Sequence, residues 1–381
     1  MGIILTGGSI ITPDQVLPDH DLEIENDVIK VISKERLSKQ KGDFVLDVHS
    51  FWVLPGMIDL HIHGSLGSDT MDATPEALHT MASYLAVHGV SAYYPTTMAG
   101  TQNAINIAIN NVKNTSQPVN GAQHLGVHLE GPYLNTSHKG AQPASYLREP
   151  NPEEYSEWIN SGVVKLITVA PEIPGMMDFI EQGIRQGIEF AVGHSNASYE
   201  QVVEAAEHGL RQATHTYNGM LGLHHRAPGT VGGVMMDDRI YAQVIADGVH
   251  VHPQMIRILL RIKGIERVIL ISDAIRAAGL RDGDYDLGGE NVHVNNGIAR
   301  NSDGNLAGST LTLDQAVRFV VTNCGVPLQR AIQMATLTPA KAMGLRKGRL
   351  KETYDADITV MDSDLKVRMT IISGRIVYNK L

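Results

Sequence analysis

Asp59-Leu-His61-Ile-His63 sets two imidazoles two residues apart, at the end of the apolar run Phe51-Trp-Val-Leu-Pro-Gly-Met-Ile58. Such a run reads as a buried strand, and residues i and i+2 of a strand point to the same side. His61 and His63 therefore project together, spaced like two imidazoles gripping one metal ion, and Gly64 ends the strand. Alternating histidines alone are a weak signal; their weight comes from what recurs downstream. Glu130 closes the run within Gly126-Val-His-Leu-Glu-Gly-Pro132. His194 follows in Val192-Gly-His-Ser195, His215 in Ala213-Thr-His-Thr-Tyr-Asn218, and Asp273 in Ile269-Leu-Ile-Ser-Asp-Ala274. Taken singly, each has a plain structural role: a carboxylate there caps the next helix, and a lone histidine bonds a backbone carbonyl. Together, at the same end of successive strands, they point to one site. Imidazole and carboxylate without thiolate suit Zn²⁺, or Fe²⁺ and related ions, and fewer ligands than the metal accepts leaves room for water.

The elements that position these residues form a regular series. Between about residues 55 and 348 lie eight β-like runs: Met57–His63, Ser91–Thr96, His124–Glu130, Val164–Val169, Ile188–Gly193, Arg211–His215, Ile240–Ala246 and Arg267–Asp273. Helix-like segments follow most of them. The clearest is Thr74–His88, with Thr74 as cap, Pro75 in the first turn, Leu78, Met81, Ala82 and Leu85 at helical spacing, and Gly89 as the stop. This alternation predicts an α/β fold, a (β/α)8 TIM-type barrel, whose active sites lie at the C-terminal ends of the strands. The ends of the chain differ in character. Asp21–Ile32 alternates apolar and polar residues around an Asn26-Asp27 turn, and Ala356–Met361 and Met369–Tyr378 read as strands, the latter turning at Ser373-Gly374. Residues 1–54 plus 349–381 are thus expected to pair into one small β-sandwich domain beside the 55–348 barrel.

Composition excludes several function classes. Of 381 residues, 43% are hydrophobic and 19% charged, as in soluble globular proteins. No apolar run approaches the ~20 residues that span a membrane, and Met1-Gly-Ile-Ile-Leu-Thr-Gly-Gly8 lacks the basic start of a signal peptide. The single cysteine, Cys324, excludes an internal disulfide and suits a reducing compartment, so the expected location is cytoplasmic. It falls beside the helix-like segment Leu311–Asn323 and reads as a core residue rather than a nucleophile. A net charge of −10 argues against a nucleic-acid partner. It leaves open an anionic small molecule held by a local cluster.

Read together, these motifs resemble the amidohydrolase superfamily and, within it, the family of N-acetylglucosamine-6-phosphate and N-acetylgalactosamine-6-phosphate deacetylases. The likeness extends over nearly the whole chain. Pro55–Gly64 resembles the superfamily's first-strand motif. More specific are His128–Tyr133, Gly193–Ser195, His215–Met220 with His224–Gly229, Asp247–Pro253, Ser272–Ala274 and Leu306–Thr310. The resemblance implies that Glu130, His194 and His215 hold a principal divalent metal and that His61 and His63 hold a second one, with Glu130 between the two. It implies one or two ions per subunit and a sugar-phosphate substrate handled by Asn218, the backbone at Gly219 and Met220, Arg226 and His250. It also implies a homodimer, with Arg226 reaching across the interface. Many members place a histidine after a Lys-Gly-Ala step to polarise the acetyl carbonyl. Here Lys139-Gly-Ala-Gln142 puts Gln142 there, a hydrogen-bond donor that carries no charge. Ala227 stands where an acidic residue is common.

The expected reaction is metal-dependent hydrolysis of the substrate's acetamide. A bound metal brings water toward hydroxide near neutral pH, and Asp273 serves as general base and then general acid. The His224-His225-Arg226 cluster offers donors for the phosphate, since arginine binds phosphate bidentately. The glucosamine epimer is the expected substrate, with the galactosamine epimer as the alternative. A cyclic-amide hydrolase of the same superfamily is disfavoured because no bridging lysine is evident. A metal-free scaffold is disfavoured because every ligand and Asp273 are kept.

Overall fold

Eight strands of a computed structural model, which describes residues 2–381, run parallel in sequence order. They are Met57–Ile62, Val90–Thr97, Val127–Glu130, Val164–Val169, Glu189–Val192, Gln212–Ala213, Tyr241–Ile245 and Val268–Ile271. Each pairs with the next. The last meets the first through Asp273 N–H on the His61 carbonyl (2.9 Å) and His63 N–H on the Ala274 carbonyl (2.8 Å). The result is the expected (β/α)8 barrel. Its staves are near-continuous apolar runs because both faces are covered, by helices outside and packed side chains inside.

The helix after the first strand forms as its sequence predicts. Pro75–Val87 is capped by Thr74, whose hydroxyl accepts the Ala77 N–H, and it buries Leu78, Met81, Ala82 and Leu85. Two staves depart from expectation. The third is interrupted: Gln123–His124 pairs separately, and Gly126 at φ 135° breaks the run before Val127. A Cβ on Gly126 would come within 2.5 Å of Lys165 and of the Val163 carbonyl. The sixth is only Gln212–Ala213, since the backbone leaves the sheet before His215. After the eighth strand an antiparallel sheet, Gly283–Leu287, Glu290–Asn295 and Ile298–Asn301, precedes the helix Leu313–Cys324. Its first two strands alternate exposed with half-buried or buried residues, the period-two pattern of a hairpin with one covered face.

The two chain ends share one eight-stranded sheet. Its order is Arg375–Asn379, Val367–Ile372, Ile358–Met361, Trp52–Pro55, Gly2–Ile11, Val16–Glu25 and Val28–Ser33. The long strand Gly2–Ile11 pairs with Phe44–Asp47 through one half and with Trp52–Val53 through the other. This lets the sheet fold over a core of Leu5, Ile10, Leu22, Ile24, Ile358, Val360 and Met369. The Thr359 and Thr370 hydroxyls donate to the Gly89 and Ala86 carbonyls at 2.7 Å, tying the sandwich to the end of the first barrel helix. No described helix is long and apolar enough to cross a membrane.

Candidate metal centre

The C-terminal ends of five staves bring Glu130, His194, His215, His61, His63 and Asp273 together as two donor clusters. In the first, Glu130 Oε1 lies 3.1 Å from His194 Nε2 and 3.0 Å from His215 Nε2, and those nitrogens are 3.1 Å apart. In the second, His61 Nε2 lies 3.1 Å from His63 Nε2, and Asp273 Oδ1 lies 3.2 Å and 3.4 Å from the two. Glu130 joins them, since its Oε2 is 3.2 Å from His63 Nε2 and 3.6 Å from His61 Nε2.

The backbone sets this convergence. His194, His215 and Asp273 all have positive φ, 47°, 31° and 49°. That conformation costs an L-residue roughly 1–2 kcal/mol, and it lies just where each strand turns into the mouth. Gly193 and Gly219 make room. A Cβ on Gly193 would meet Thr168 Cγ2 at 2.6 Å, and one on Gly219 would press on His194 Nδ1 at 2.9 Å.

The donor chemistry fits a divalent cation. Nδ1 of His63, His194 and His215 faces the carbonyls of Thr96 (3.2 Å), His138 (2.9 Å) and Asn218 (3.1 Å). A carbonyl only accepts, so Nδ1 carries the proton and Nε2 offers its lone pair inward. Inward lone pairs about 3 Å apart repel unless a positive charge sits among them. A tetrahedral ion ~2.0–2.1 Å from its ligands holds them roughly 3.3 Å apart, close to the observed spacing. The electrostatics agree. Burial pushes the Glu130 carboxyl up, but His61, His194 and His215 outweigh it and hold it well below the usual range. Burial likewise pushes His63 down, and Asp273 and Glu130 overcome this to raise it well above its ordinary value. The site attracts positive charge from either side.

The clusters floor a cavity of about 470 Å³, a size usual for small-ligand pockets. Glu130, His63, His194, His215, Asp273, Gln142, Asn218, Gly219 and His250 line it. His61 lies beneath, fully buried. Met220 is buried and does not line the cavity, and Arg226 lies outside it on an exposed loop, its Nη1 3.0 Å from His225 Nε2. His250 Nδ1 is 2.6 Å from Asp247 Oδ2, so Asp247 fixes the ring.

Five contributors have no role that the sequence signals. Asp247 stands three residues before His250, a pairing visible only once their loop folds. Glu172 gathers the Ser195 hydroxyl (2.7 Å), the Asn196 N–H (2.6 Å) and the Asn135 amide (2.9 Å), so it holds the loops around His194; no spacing signals it. Leu287, Asn305 and Leu306 enter the cavity from the antiparallel insertion and the segment after it.

The comparisons agree with this geometry. The amidohydrolase family matches residues 52–377. The N-acetylglucosamine-6-phosphate deacetylase of Lysinibacillus sphaericus is 41% identical over 331 residues, covering 85% of this chain and 85% of its own. The N-acetylgalactosamine-6-phosphate deacetylase of Escherichia coli O157:H7 is 37% identical over 378 residues, 98% of each chain. The crystal structure of N-acetylglucosamine-6-phosphate deacetylase from Pasteurella multocida superimposes with a TM-score of 0.95 at 30% identity, covering 100% of both chains. The chain belongs to the amidohydrolase family, among the N-acetylated amino-sugar-6-phosphate deacetylases.

Proposed function

We propose that this protein hydrolyses the acetamide of N-acetylglucosamine-6-phosphate, releasing glucosamine-6-phosphate and acetate. The observation that carries the reading is the pair of donor clusters joined by Glu130, with Asp273 beside them at the floor of a substrate-sized cavity. Glu130, His194 and His215 would hold the principal ion, and His61, His63 and Asp273 would border a second position. Imidazole and carboxylate donors suit Zn²⁺ or Fe²⁺. When bound, the divalent cation supplies Lewis acidity that makes water a nucleophile near neutral pH and polarises the acetyl carbonyl.

The protein's own groups do the rest. Burial pushes the Asp273 carboxyl up, but His61, His63 and His215 outweigh it and hold it at about 2, so Asp273 stands ionised at neutral pH. It accepts the proton of the attacking water and returns it to the departing sugar nitrogen, converting a poor leaving group into a neutral amine. His250, oriented by Asp247, acts with Asn218 and the Gly219 backbone to position the sugar phosphate. Met220 supports that segment from behind. Arg226, exposed beside the 62%-exposed Leu223 and outside its own cavity, reaches the cavity of a second copy in a homodimer. The lone, buried Cys324 suits a reducing location, the cytoplasm.

The E. coli relative, 37% identical over 98% of each chain, supports one second reading, the galactosamine epimer. Steady-state hydrolysis by metal-quantified protein tests both. The expected result is a kcat/KM preference for N-acetylglucosamine-6-phosphate over its epimer and over the unphosphorylated sugar. Preference for the galacto epimer selects the second reading. Metal-loaded protein inactive on all three overturns the assignment.

A further inference from the structure

Both ends of the Gln142 side chain are engaged. Its Oε1 accepts the Ala99 N–H at 2.8 Å, and its Nε2 donates to Glu130 Oε2 at 2.7 Å. A backbone N–H only donates, so Ala99 fixes which end of the amide is oxygen and the NH₂ end must face Glu130. The residue is 2% exposed. Glu130 Oε2 is the oxygen turned toward His61 and His63, while Oε1 serves His194 and His215. The last torsion of a glutamate side chain is broad and soft. Among the described residues, Gln142 is the one hydrogen-bond donor to the Glu130 carboxylate that belongs to neither cluster.

We infer that Gln142 is a positioning residue of the metal centre. It locks the Glu130 carboxylate across both donor clusters, so cation retention on the His61–His63–Asp273 side depends on it. It acts through Glu130 and not by contact with the acetyl carbonyl. This inference rests on the metal-dependent reading above. Groups that orient ligands in this way change metal affinity by about 10–100-fold when removed.

The test compares wild type, Gln142→Ala and Gln142→Met, each stripped with a chelator, checked for fold by circular dichroism, and titrated with Zn²⁺ under equilibrium dialysis. Bound zinc per subunit is read by mass spectrometry. Methionine keeps most of the buried volume and donates nothing. Both variants are expected to bind at least one Zn²⁺ about 10–100-fold more weakly, while KM at saturating Zn²⁺ stays within about twofold of wild type. Wild-type zinc affinity in Gln142→Met overturns the inference, because the bond to Glu130 is then dispensable. So does unchanged affinity with a raised KM, which would make Gln142 a substrate contact. Wild-type protein that binds no Zn²⁺ overturns the metal reading and this inference with it. Wild type that binds while the variants match it overturns the inference alone.

Discussion

Asp21 in the terminal sheet and Glu130 in the barrel mouth are carboxylates buried alike, 1% and 2% exposed, yet their partners differ in kind. Asp21 accepts the Gly7 N–H at 3.0 Å and the Arg36 guanidinium at 2.6 Å on one oxygen, and the Leu37 N–H at 2.8 Å on the other. Every partner is a donor already in place, and a fixed cation completes the charge balance. Glu130 has one such donor, Gln142, and otherwise faces four imidazole nitrogens, at least three of which turn lone pairs toward it. A buried charge must be paired. The sheet supplies its own counter-charge, whereas the mouth leaves that role to something bound. Equal burial therefore marks structure in one region and chemistry in the other.

The sharpest way to break this contrast is metal removal. Treatment with a chelator should reduce hydrolysis to background, and adding back Zn²⁺ or Fe²⁺ should restore it, as measured by acetate release. Full activity in verified metal-free protein would end the distinction. Next in size, Asp273→Asn should lower kcat by about 10²–10⁴-fold while keeping the cation held by Glu130, His194 and His215. Near-wild-type kcat would sink its role as base. Arg226→Ala should weaken binding of the phosphorylated sugar by about 1.5–3 kcal/mol, the usual range for a charged hydrogen bond, and barely affect the unphosphorylated one. Equal losses for both sugars would remove Arg226 from phosphate recognition.

The smallest effect belongs to the sheet. Asp21→Asn should leave kcat unchanged and cost about 1–3 kcal/mol of stability, since the new amide cannot accept every former donor; chemical denaturation measures it. The pH dependence has a definite sign. Burial pushes the Asp21 carboxyl up, but the Leu37 and Gly7 N–H groups and Arg36 outweigh it, holding it below its ordinary 3.8. The unfolded chain then binds more protons near and below pH 3.8, so this stability is fully present above that pH and drains away as pH falls through the lowered value. A wild-type advantage over Asp21→Asn that persists at lower pH would show that the carboxylate charge is not its source.

Much of the mouth is legible in the chain because it obeys local rules. His61 and His63 share a strand face by period two, and Glu130 ends its stave. His194, His215 and Asp273 follow theirs at sharp turns. The helix Pro75–Val87 announces itself by its cap, its first proline and its spacing. The break at Gly126 was not legible, because it depends on the approach of Lys165 from the next stave. Nor was the Asp247–His250 pairing, or Glu172 as the residue gathering loops from either side of it in sequence. Arg226 reads as a phosphate ligand in the sequence, but it lies on an exposed loop and does not line the cavity.

The sequence by itself determined the staves, the hairpins of the chain ends and the ligand types, since periodicity and strand-end position are properties of neighbouring residues. Tertiary structure alone decided which oxygen of Glu130 meets which cluster and that Gln142, anchored on Ala99, donates to it. Those contacts join residues 99, 130 and 142, which no local period relates and which meet only because the second and third staves pair and the loop after the third folds back over their ends.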